Sequence, residues 1–504
     1  MSRRERTVRA ALFSWVQATV ALAAGFWVTR LLVLQLGESH YALYVTTTTL
    51  AAWAGLSDLG LLAILPWLVA EAEADGARLG RTVGAAAMAM AASTALYLGV
   101  GAGTYWAAGR LLELPQDTLL TARQALSLAL GLGLLGFPLR IGTAVLAGLQ
   151  DVTFVGAVSV LQVLGTSALT AVLVLGGYGL KGAVCGLALP PILAGLASTF
   201  RAQQVLKARA LHLARPTKQD FRELARAAAS AALSTTGWQL TTSAQALGLS
   251  RVGQLDEVAQ LAVTSRLPLL MMQQSWTLPD AALVGLAQLK GEGLRTRARA
   301  VVQTLLQFQA LVGAGVTAAI LALNPAFVTA WVGPSRYGGD GLNVAVAVHV
   351  AVQYLVHAVV TPGAVMGNRL AVGVATFLGG AGALGGALLL GHHGGAVLLL
   401  ATAACSLLTT VPVGVAVLRA SLEGTEASAA PFRWHTQALP RLLLLLLLAW
   451  PAQWLLARAA GVLPLLAATA TCGLLFIVIT RPLWRGLPLS ERQLQLLRRL
   501  RVIP

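Results

Sequence analysis

The sequence predicts an all-α polytopic membrane protein with about 14 transmembrane helices, each of about 20 residues. Two observations carry this prediction. Hydrophobic residues make up 57% of the 504 positions and charged residues only 11%, whereas soluble globular chains carry about 25% charged residues. The mean hydropathy of +0.74 agrees with this composition. A soluble or disordered chain is therefore excluded, and three cysteines make no disulfide framework.

Fourteen apolar stretches are long enough to cross a hydrocarbon core of about 30 Å as helices. The second and the eighth are long enough to tilt or to break, near Pro66, Pro268 or Pro279. The stretches are 10–36, 41–70, 80–107, 119–147, 154–176, 180–200, 227–248, 258–287, 300–323, 342–365, 370–390, 396–418, 439–457 and 461–480.

The basic residues separate by side of the membrane. With Arg81 and Lys181, each the second residue of its stretch, counted in the adjoining loops, 26 of the 36 Lys and Arg residues lie on one side, five on the other and five inside the stretches. Because Lys and Arg accumulate in cytoplasmic loops, this separation predicts an even number of helices with both termini cytoplasmic. The net charge of +17 therefore records topology, and no nucleic-acid partner is expected.

Charged interruptions divide the chain into two six-helix lobes and two further helices. The longest interruption lies between six stretches and the next six, a plan typical of transporters built from repeats. In 489–501, leucines at every third position alternate with arginines, which predicts an amphipathic helix on an anionic leaflet. The predicted segments are an N-terminal lobe (1–200), a basic cytoplasmic linker (201–226), a C-terminal lobe (227–418), two additional helices (419–480) and a basic amphipathic tail (481–504).

Enzyme motifs are missing from the sequence. It contains no phosphate-binding loop, no nucleophile elbow and no pair of carboxylates at catalytic spacing. His392 and His393 lie in a glycine-rich turn, and the cysteines are isolated. We therefore expect no catalytic residues, no metal and no cofactor.

Charged residues inside the stretches are candidates for function, because a charge at mid-bilayer costs at least about 2.5–3.5 kcal/mol. Arg266 lies eight residues into its stretch, about 12 Å deep, which predicts a water-filled cavity. Arg30 and Arg140 lie nearer to helix ends, where reaching the interface and facing a cavity are both open. Asp58 can pair with an arginine or cap a helix break, or it can bind a proton or cation. Near the ends of other stretches, we expect the side chains of Arg123, Arg441 and Asp280 to reach an interface.

Polar residues concentrate in the seventh stretch and continue into the eighth. Two sets recur there at helical spacing. They indicate either hydrogen bonds between helices or a wet cavity whose hydroxyl and indole groups suit a sugar. The first set is Thr235, Gln239 and Thr242, the second is Trp238, Thr241 and Gln245, and the eighth stretch adds Gln273, Gln274, Ser275 and Trp276.

Several segments resemble the Wzx-like polysaccharide-biosynthesis flippases of the multidrug/oligosaccharidyl-lipid/polysaccharide exporter superfamily. Segment 30–61 is similar to the family's first hairpin, with a Leu-Gly turn, a following Tyr and a closing Asp-x-Gly. In AVTSRLPLLMMQQ an Arg-Leu precedes a Pro, as in related lipid II flippases. PLRIGTAVLAGLQD (138–151) resembles the fourth helix, and FVTAWVGPSRY (327–337) the outer Trp-x-Gly loop. The matching residues of the hairpin and of the Arg-Leu-Pro motif are Leu36, Gly37, Tyr41, Asp58, Gly60, Arg266, Leu267 and Pro268.

The resemblance implies a multi-pass flippase of the cytoplasmic membrane that moves an isoprenoid-diphosphate-linked oligosaccharide by alternating access, for cell-surface polysaccharide biosynthesis. Lipid-linked oligosaccharide and membrane lipids are then its partners, and a polysaccharide polymerase is a candidate partner. Arginine suits a diphosphate, and Thr, Gln and Trp suit a sugar. The candidate substrate-binding residues are Arg30, Arg266, Asp58, Arg140, Thr235, Trp238, Gln239, Thr242 and Gln273.

Three alternatives stay open at this point. The first is a cation-coupled drug exporter of the same superfamily, with Asp58 as the coupling group. The second is a membrane scaffold of a cell-envelope complex that transports nothing. The third is a polytopic glycosyltransferase, which would need an acidic outer loop, whereas the loop 324–341 has only Asp340.

Overall fold

The computed structural model describes residues 3–73, 75–208, 214–423, 430–457 and 462–485. These residues form helices and the turns between them, so the predicted all-α fold is confirmed for this part of the chain. Nine helical stretches within it are long and apolar enough to cross a membrane. The protein is therefore polytopic, and the exact number of 14 crossings stays a prediction.

The chain divides into two compact units, Met1–Ala259 and Gln260–Pro504. Helix α9 (Leu255–Thr264) contains the boundary between them. The helices that precede it are α1 (Arg3–Ala54), α2 (Leu61–Ala72), α3 (Gly76–Leu111), α4 (Gln116–Gly136), α5 (Arg140–Gly148), α6 (Val152–Leu173), α7 (Gly179–Ala208) and α8 (Lys218–Arg251). A short 3₁₀ turn (Gly55–Asp58) joins α1 to α2, and a π turn (Val174–Tyr178) joins α6 to α7.

The second unit also consists of helices. A π turn (Ser406–Thr410) joins its α14 to its α15. The helices are α10 (Arg266–Gly291), α11 (Arg295–Val332), α12 (Gly339–Met366), α13 (Arg369–Leu390), α14 (Gly395–Cys405), α15 (Val411–Ser421), α16 (Ala430–Ala457) and α17 (Val462–Arg485).

Helix α1 is interrupted at Gly37, whose φ of 76° and ψ of 171° are not helical. A positive φ favours glycine, because other residues would place a Cβ against the backbone. The interruption coincides with the Leu-Gly turn between the first two predicted stretches. Sequence and backbone geometry therefore agree on where this long helix changes course.

The two long stretches break where the backbone departs from the helix, and not at Pro66 or Pro279. Those two prolines lie inside α2 and α10. The second stretch breaks between α1 and α2, where Leu59 (φ 49°) and Gly60 (φ 77°) adopt left-handed conformations. The eighth breaks at Ser265, between α9 and α10, three residues before Pro268.

Helix α8 begins with a capping box, which explains where it starts. The Thr217 hydroxyl accepts a hydrogen bond from the Asp220 backbone N–H, and the Asp220 carboxylate accepts one from the Thr217 backbone N–H. Together they satisfy two donors at the helix start. The Thr217 hydroxyl also donates to Asp220, and these bonds lower the pKa of the Asp220 carboxyl, with a smaller contribution from the Arg81 guanidinium 3.8 Å away.

Helix α8 packs against α1, α2 and α3 of the first unit. Gly60 permits this, since a Cβ there would lie 2.5 Å from the backbone nitrogen of Ala232. The sequence instead starts a C-terminal lobe at residue 227, and the predicted lobe boundaries stay a prediction. The amphipathic helix predicted for 489–501 lies outside the described residues.

Candidate functional site

Asp58 caps the break between α1 and α2. Its carboxylate accepts a hydrogen bond from the Gly60 backbone N–H at 3.1 Å. This is the capping role that the sequence allows for Asp58. Its proposed role in binding substrate, a proton or a cation stays a prediction.

Arg140 lies beside the same break. It is exposed and is the first residue of α5. A Cβ on Gly55 would lie 3.9 Å from its Nη1 atom, and its guanidinium lies 5.8 Å from the ring centre of Phe137. No carboxylate of the described residues pairs with it within 4.0 Å. Its charge is therefore available to an anion, and the choice between an interface and a cavity stays a prediction.

Arg30 also has an exposed side chain, on α1. The neighbouring Thr29 is 6% exposed, so α1 turns one face into the unit and Arg30 away from it. No ion pair of Arg30 occurs within the described ranges. Its predicted contact with substrate stays a prediction.

Four predicted residues share one face of α8. Thr235, Trp238, Gln239 and Thr242 follow the i, i+3, i+4, i+7 spacing of a helical stripe. Thr235 and Thr242 are exposed, and their hydroxyls donate to backbone carbonyls of α8 itself. This face therefore presents hydroxyl and amide groups away from the core of the unit.

In the second predicted polar set of α8, Trp238 is half-buried and the other two residues are buried. Thr241 and Gln245 are 5% exposed, and the Gln245 amide donates to the Thr241 carbonyl at 3.3 Å. Nearby, the Trp53 indole N–H donates to the Ser243 hydroxyl at 3.1 Å. The Trp53–Ser243 bond joins α8 to α1, which is the hydrogen bonding between helices that the sequence left open, whereas the Gln245 bond stays within α8.

Arg266 begins α10 directly after the break at Ser265. It is half-buried, and its Nε atom is buried without a hydrogen-bond partner in the described part of the chain. A buried donor of a charged group without a partner is costly, so it favours an anionic ligand. The guanidinium can bind such a ligand through two parallel hydrogen bonds.

The break at Ser265 is supported by a buried asparagine pair that the sequence did not indicate. Pro268 has no N–H to donate to the Thr264 carbonyl. The Asn324 amide of α11 donates to that carbonyl at 2.9 Å and to the Asn343 side chain of α12 at 2.9 Å. Asn324 is 1% exposed and Asn343 is fully buried. Asn343, an amide inside an otherwise apolar stretch, was the available signal for this network.

Arg266 and Gln273 lie on one face of α10, together with Thr277 and Asp280. Their spacing of seven, four and three residues keeps them within one stripe. Gln273, Thr277 and Asp280 are exposed. The stripe spans 14 residues, about 21 Å of helix, so α10 carries a polar track with a cation at one end and a carboxylate at the other.

Asp280 lies inside α10, and the expected reach of its side chain to an interface stays a prediction. It is eleven residues before the end of α10, about 16 Å of helix. Its carboxylate lies 3.1 Å from the His357 Nε2 atom of α12. The sequence did not single out His357, because nothing in the pattern of α12 indicates which helix it faces.

An apolar cavity of about 300 Å³ lies among α11, α16 and α17 in the second unit. Its walls are almost entirely carbon, and the small side chains at several positions leave it open. The lining residues include Val316, Ala319, Leu445, Ala449, Gly473 and Phe476.

The predicted site residues therefore fall into two groups. Seven lie in the first unit and are Arg30, Asp58, Arg140, Thr235, Trp238, Gln239 and Thr242. Arg266 and Gln273 lie in the second unit. The residues of each group lie within one unit. Their joint action on one substrate stays a prediction.

Comparison with solved structures identifies the fold of this chain. The lipid II flippase MurJ, in an inward closed conformation, matches with a TM-score of 0.68 over 95% of this chain and 99% of its own, at 11% identity. A MOP superfamily transporter from Pyrococcus furiosus matches with a TM-score of 0.57 over 81% of this chain and 96% of its own, at 14% identity. The chain has the fold of the MOP superfamily. MOP denotes the multidrug/oligosaccharidyl-lipid/polysaccharide exporters, which the sequence resembles in its motifs.

A multidrug resistance MATE family transporter of the MOP superfamily, in an outward-facing conformation, has the same fold. It matches with a TM-score of 0.57 over 83% of this chain and 97% of its own, at 14% identity. The sequence matches no family model and no curated protein. With its apolar helices and its MOP fold, the chain is a multi-pass protein of the cell membrane.

Proposed function

We propose that this protein is a flippase that moves an isoprenoid-diphosphate-linked oligosaccharide across the cytoplasmic membrane, for cell-surface polysaccharide biosynthesis. The observation that carries the proposal is the buried, unpartnered Nε of Arg266 at the head of the polar track of α10. In this proposal the Arg266 guanidinium binds the diphosphate, and Arg140 and Arg30 supply further positive charge. Alternating access of the two lobes moves the headgroup.

The polar faces of α8 and α10 suit the sugar part of such a substrate. Thr235, Gln239 and Thr242 offer hydroxyl and amide groups, and Trp238 offers an aromatic ring. Gln273 continues the track below Arg266. Sugars are bound in this way by hydrogen bonds around an apolar ring face.

The apolar cavity among α11, α16 and α17 suits the isoprenoid chain. A hydrocarbon tail gains little from polar groups, so a carbon-lined cavity is the appropriate environment for it. The MurJ structure covers 95% of this chain, whereas the MATE structure covers 83%. In this proposal the chain has 14 helices with both termini in the cytoplasm, as the separation of its basic residues predicts, and a polysaccharide polymerase is a candidate partner.

A cation-coupled drug exporter with Asp58 as the coupling group is the less favoured function. The Asp58 carboxylate already accepts the Gly60 N–H, a local role that needs no ion. Asp58→Asn keeps an oxygen acceptor for that bond. In a drug exporter coupled through Asp58 it would abolish drug efflux, whereas the flippase proposal predicts no such loss.

The test uses Arg266→Ala in proteoliposomes with a fluorescent polyprenyl-diphosphate disaccharide as the probe. We expect the translocation rate to fall at least about tenfold, the cost of about 1.4 kcal/mol of lost headgroup binding. Arg266→Lys keeps the charge but not the paired donors, and we expect partial activity. The control is Arg123→Ala, because the Arg123 Nε atom is likewise buried without a partner among the described residues, but its guanidinium stacks on Tyr105 at 4.5 Å and lies outside the polar track. Normal translocation by a folded Arg266→Ala protein would overturn the proposal.

A further inference from the structure

The Asp280 carboxylate is exposed on the polar track of α10 and is held from behind by a histidine. Its Oδ1 atom lies 3.1 Å from the His357 Nε2 atom of α12, and its side chain is 51% exposed, whereas that of His357 is 10% exposed. No other ion pair in the described part of the chain involves Asp280. A carboxylate has about four lone-pair sites, so most of its accepting capacity is open to a ligand.

The tautomer and the orientation of His357 are fixed by its surroundings. Gln309 of α11 is 2% exposed, and its amide Nε2 atom lies 2.7 Å from the His357 Nδ1 atom. Because an amide nitrogen only donates, Nδ1 accepts, and the Nε2–H of the ring donates to Asp280. The Trp276 ring stacks on the imidazole with centroids 4.2 Å apart and planes 9° apart. Gln309 and Trp276 therefore hold His357 in the position from which it orients the Asp280 carboxylate.

Helix α10 differs from the apolar helices that follow it. It is not among the nine stretches of the described residues that are long and apolar enough to cross a membrane, whereas α11 and α12 are. Gln273, Thr277 and Asp280 are exposed along one face of α10. Hydrocarbon would leave such groups without hydrogen bonds, so they need water or a polar ligand. The face that carries the polar track therefore suits an aqueous passage.

The two charged ends of the polar track suit a ligand with two different ends. Arg266 lies 14 residues before Asp280, about 21 Å along the helix, which is too far for the two charges to pair. In the proposed function the Arg266 guanidinium binds the diphosphate. A group of the same substrate that reaches Asp280 then belongs to its sugar part, away from the diphosphate.

The chemistry of a carboxylate limits which sugar can lie beside it. A carboxylate accepts hydrogen bonds and donates none. Sugar hydroxyls suit it, because hydrogen bonds to an ionised acceptor are shorter and stronger than those between neutral groups. A sugar that carries its own carboxylate, sulfate or phosphate would instead bring a like charge to Asp280 and be repelled.

We propose that Asp280 determines the sugar specificity of this protein. Its carboxylate binds the hydroxyl groups of an uncharged sugar and excludes acidic sugars, and His357 and Gln309 are positioning residues that orient it. The inference rests on the diphosphate binding of the proposed function, which sets where the sugar lies, and not on translocation.

Equilibrium binding of two matched fluorescent lipids to the purified full-length protein tests this proposal. Both probes are polyprenyl-diphosphate disaccharides. The terminal sugar is glucose in one and glucuronic acid in the other, so the probes differ by one carboxylate. We expect the parent protein to bind the glucose probe at least about tenfold more tightly, because juxtaposed like charges are strongly disfavoured. Equal affinities for the two probes would overturn the proposal, and this comparison needs no variant.

Asp280→Asn removes the charge and keeps an oxygen acceptor. We expect its affinity for the glucose probe to fall about fivefold, since a charged acceptor forms the stronger hydrogen bond. Its affinity for the glucuronate probe should rise, so that the ratio of the two affinities approaches one. Asp340→Asn is the matched control, because it removes the same charge from an exposed aspartate of α12 and should keep the parent ratio. An Asp280→Asn protein with the parent ratio would overturn the proposal.

Two substitutions of His357 test its positioning role. His357→Leu removes the N–H that orients the carboxylate, whereas His357→Gln supplies an amide N–H in its place. We expect the affinity ratio to fall toward one in His357→Leu and to recover in His357→Gln. A merely structural role of His357 would weaken the binding of both probes alike and leave their ratio unchanged, which would exclude the positioning role.

Binding and translocation together separate this proposal from the proposed function. If the affinity ratio holds while neither probe is translocated in proteoliposomes, the flippase proposal fails and the sugar specificity of Asp280 remains. If both probes are translocated but bind equally, the flippase proposal remains and the specificity of Asp280 fails. Binding of neither probe would overturn both.

Discussion

The side-chain amide of Asn324 donates a hydrogen bond to the backbone carbonyl oxygen of Thr264 at 2.9 Å. This carbonyl is the one that Pro268 leaves without a helical donor. The bond therefore joins α11 to the break from which Arg266 projects. The Arg-Leu-Pro motif therefore depends on Asn324, which lies 56 residues after Pro268 in the sequence.

We predict that Asn324→Ala destabilises the protein by about 1–3 kcal/mol, because it leaves buried polar groups unsatisfied. In a Pro268→Ala background the restored N–H can bond Thr264, so the same substitution should cost less. Thermal unfolding of the four proteins of this cycle in detergent measures the coupling. Equal costs in the two backgrounds would contradict the assigned role of Asn324.

We predict that Gly60→Ala is much more destabilising than Gly37→Ala. Both glycines have a φ near +77°, so both substitutions carry a backbone cost of about 1–3 kcal/mol. Only at Gly60 would the new Cβ meet another helix, 2.5 Å from the Ala232 nitrogen of α8. Thermal unfolding separates the two effects, and equal losses would show that α8 does not approach Gly60 as described.

We predict that Thr217→Ala loosens the first turn of α8 by about 1 kcal/mol, as expected for a lost N-cap. The folded-state pKa of Asp220 is lowered, chiefly by its hydrogen bonds from Thr217. Its stabilising effect is therefore complete above the unfolded pKa of about 3.9 and is lost as the pH falls through the lower folded pKa. Amide hydrogen exchange of residues 218–222 should show both effects. Gln219→Ala, next to the cap, is the control.

We predict that Gly473→Phe weakens binding of long-chain polyprenyl diphosphate by filling the apolar cavity. Gly473 lines the cavity, and no atom lies within 4 Å of its Cβ position, so the ring enters without a clash. Gly385→Phe, at an equally open position outside the cavity, should bind lipid normally. Because farnesyl diphosphate has a short tail, its affinity should change less. An equal loss for both lipids would exclude the cavity as the tail site.

The fold class followed from the sequence because it depends on composition and periodicity. Long apolar runs with few charges must form helices in a bilayer, since no water satisfies their backbone groups. The break at Gly37 was also readable, because a positive φ favours glycine there. The break at Ser265 lies three residues before Pro268, one of the three prolines named, whereas the break at Gly60 lies six residues before Pro66.

The candidate site was only partly readable. Helical spacing alone predicts that Thr235, Gln239 and Thr242 share a face of α8, and the structure agrees. Spacing does not tell which face of a helix packs on a neighbour. It therefore did not predict that Thr241 and Gln245 are buried while Thr235 and Thr242 are exposed. Those two side chains are buried because α1, α2 and α3 pack against α8.

By itself, the sequence determined that this protein is a helical membrane protein, because the fold class follows from local hydropathy, and it predicts which charges lie inside the membrane. Only the tertiary structure decided what those charges contact. Asp280 meets His357, 77 residues later in the chain, and Thr264 meets Asn324, because helix packing brings distant segments together. No pattern in the sequence links two such residues, so only the packed helices show which side chains contact each other.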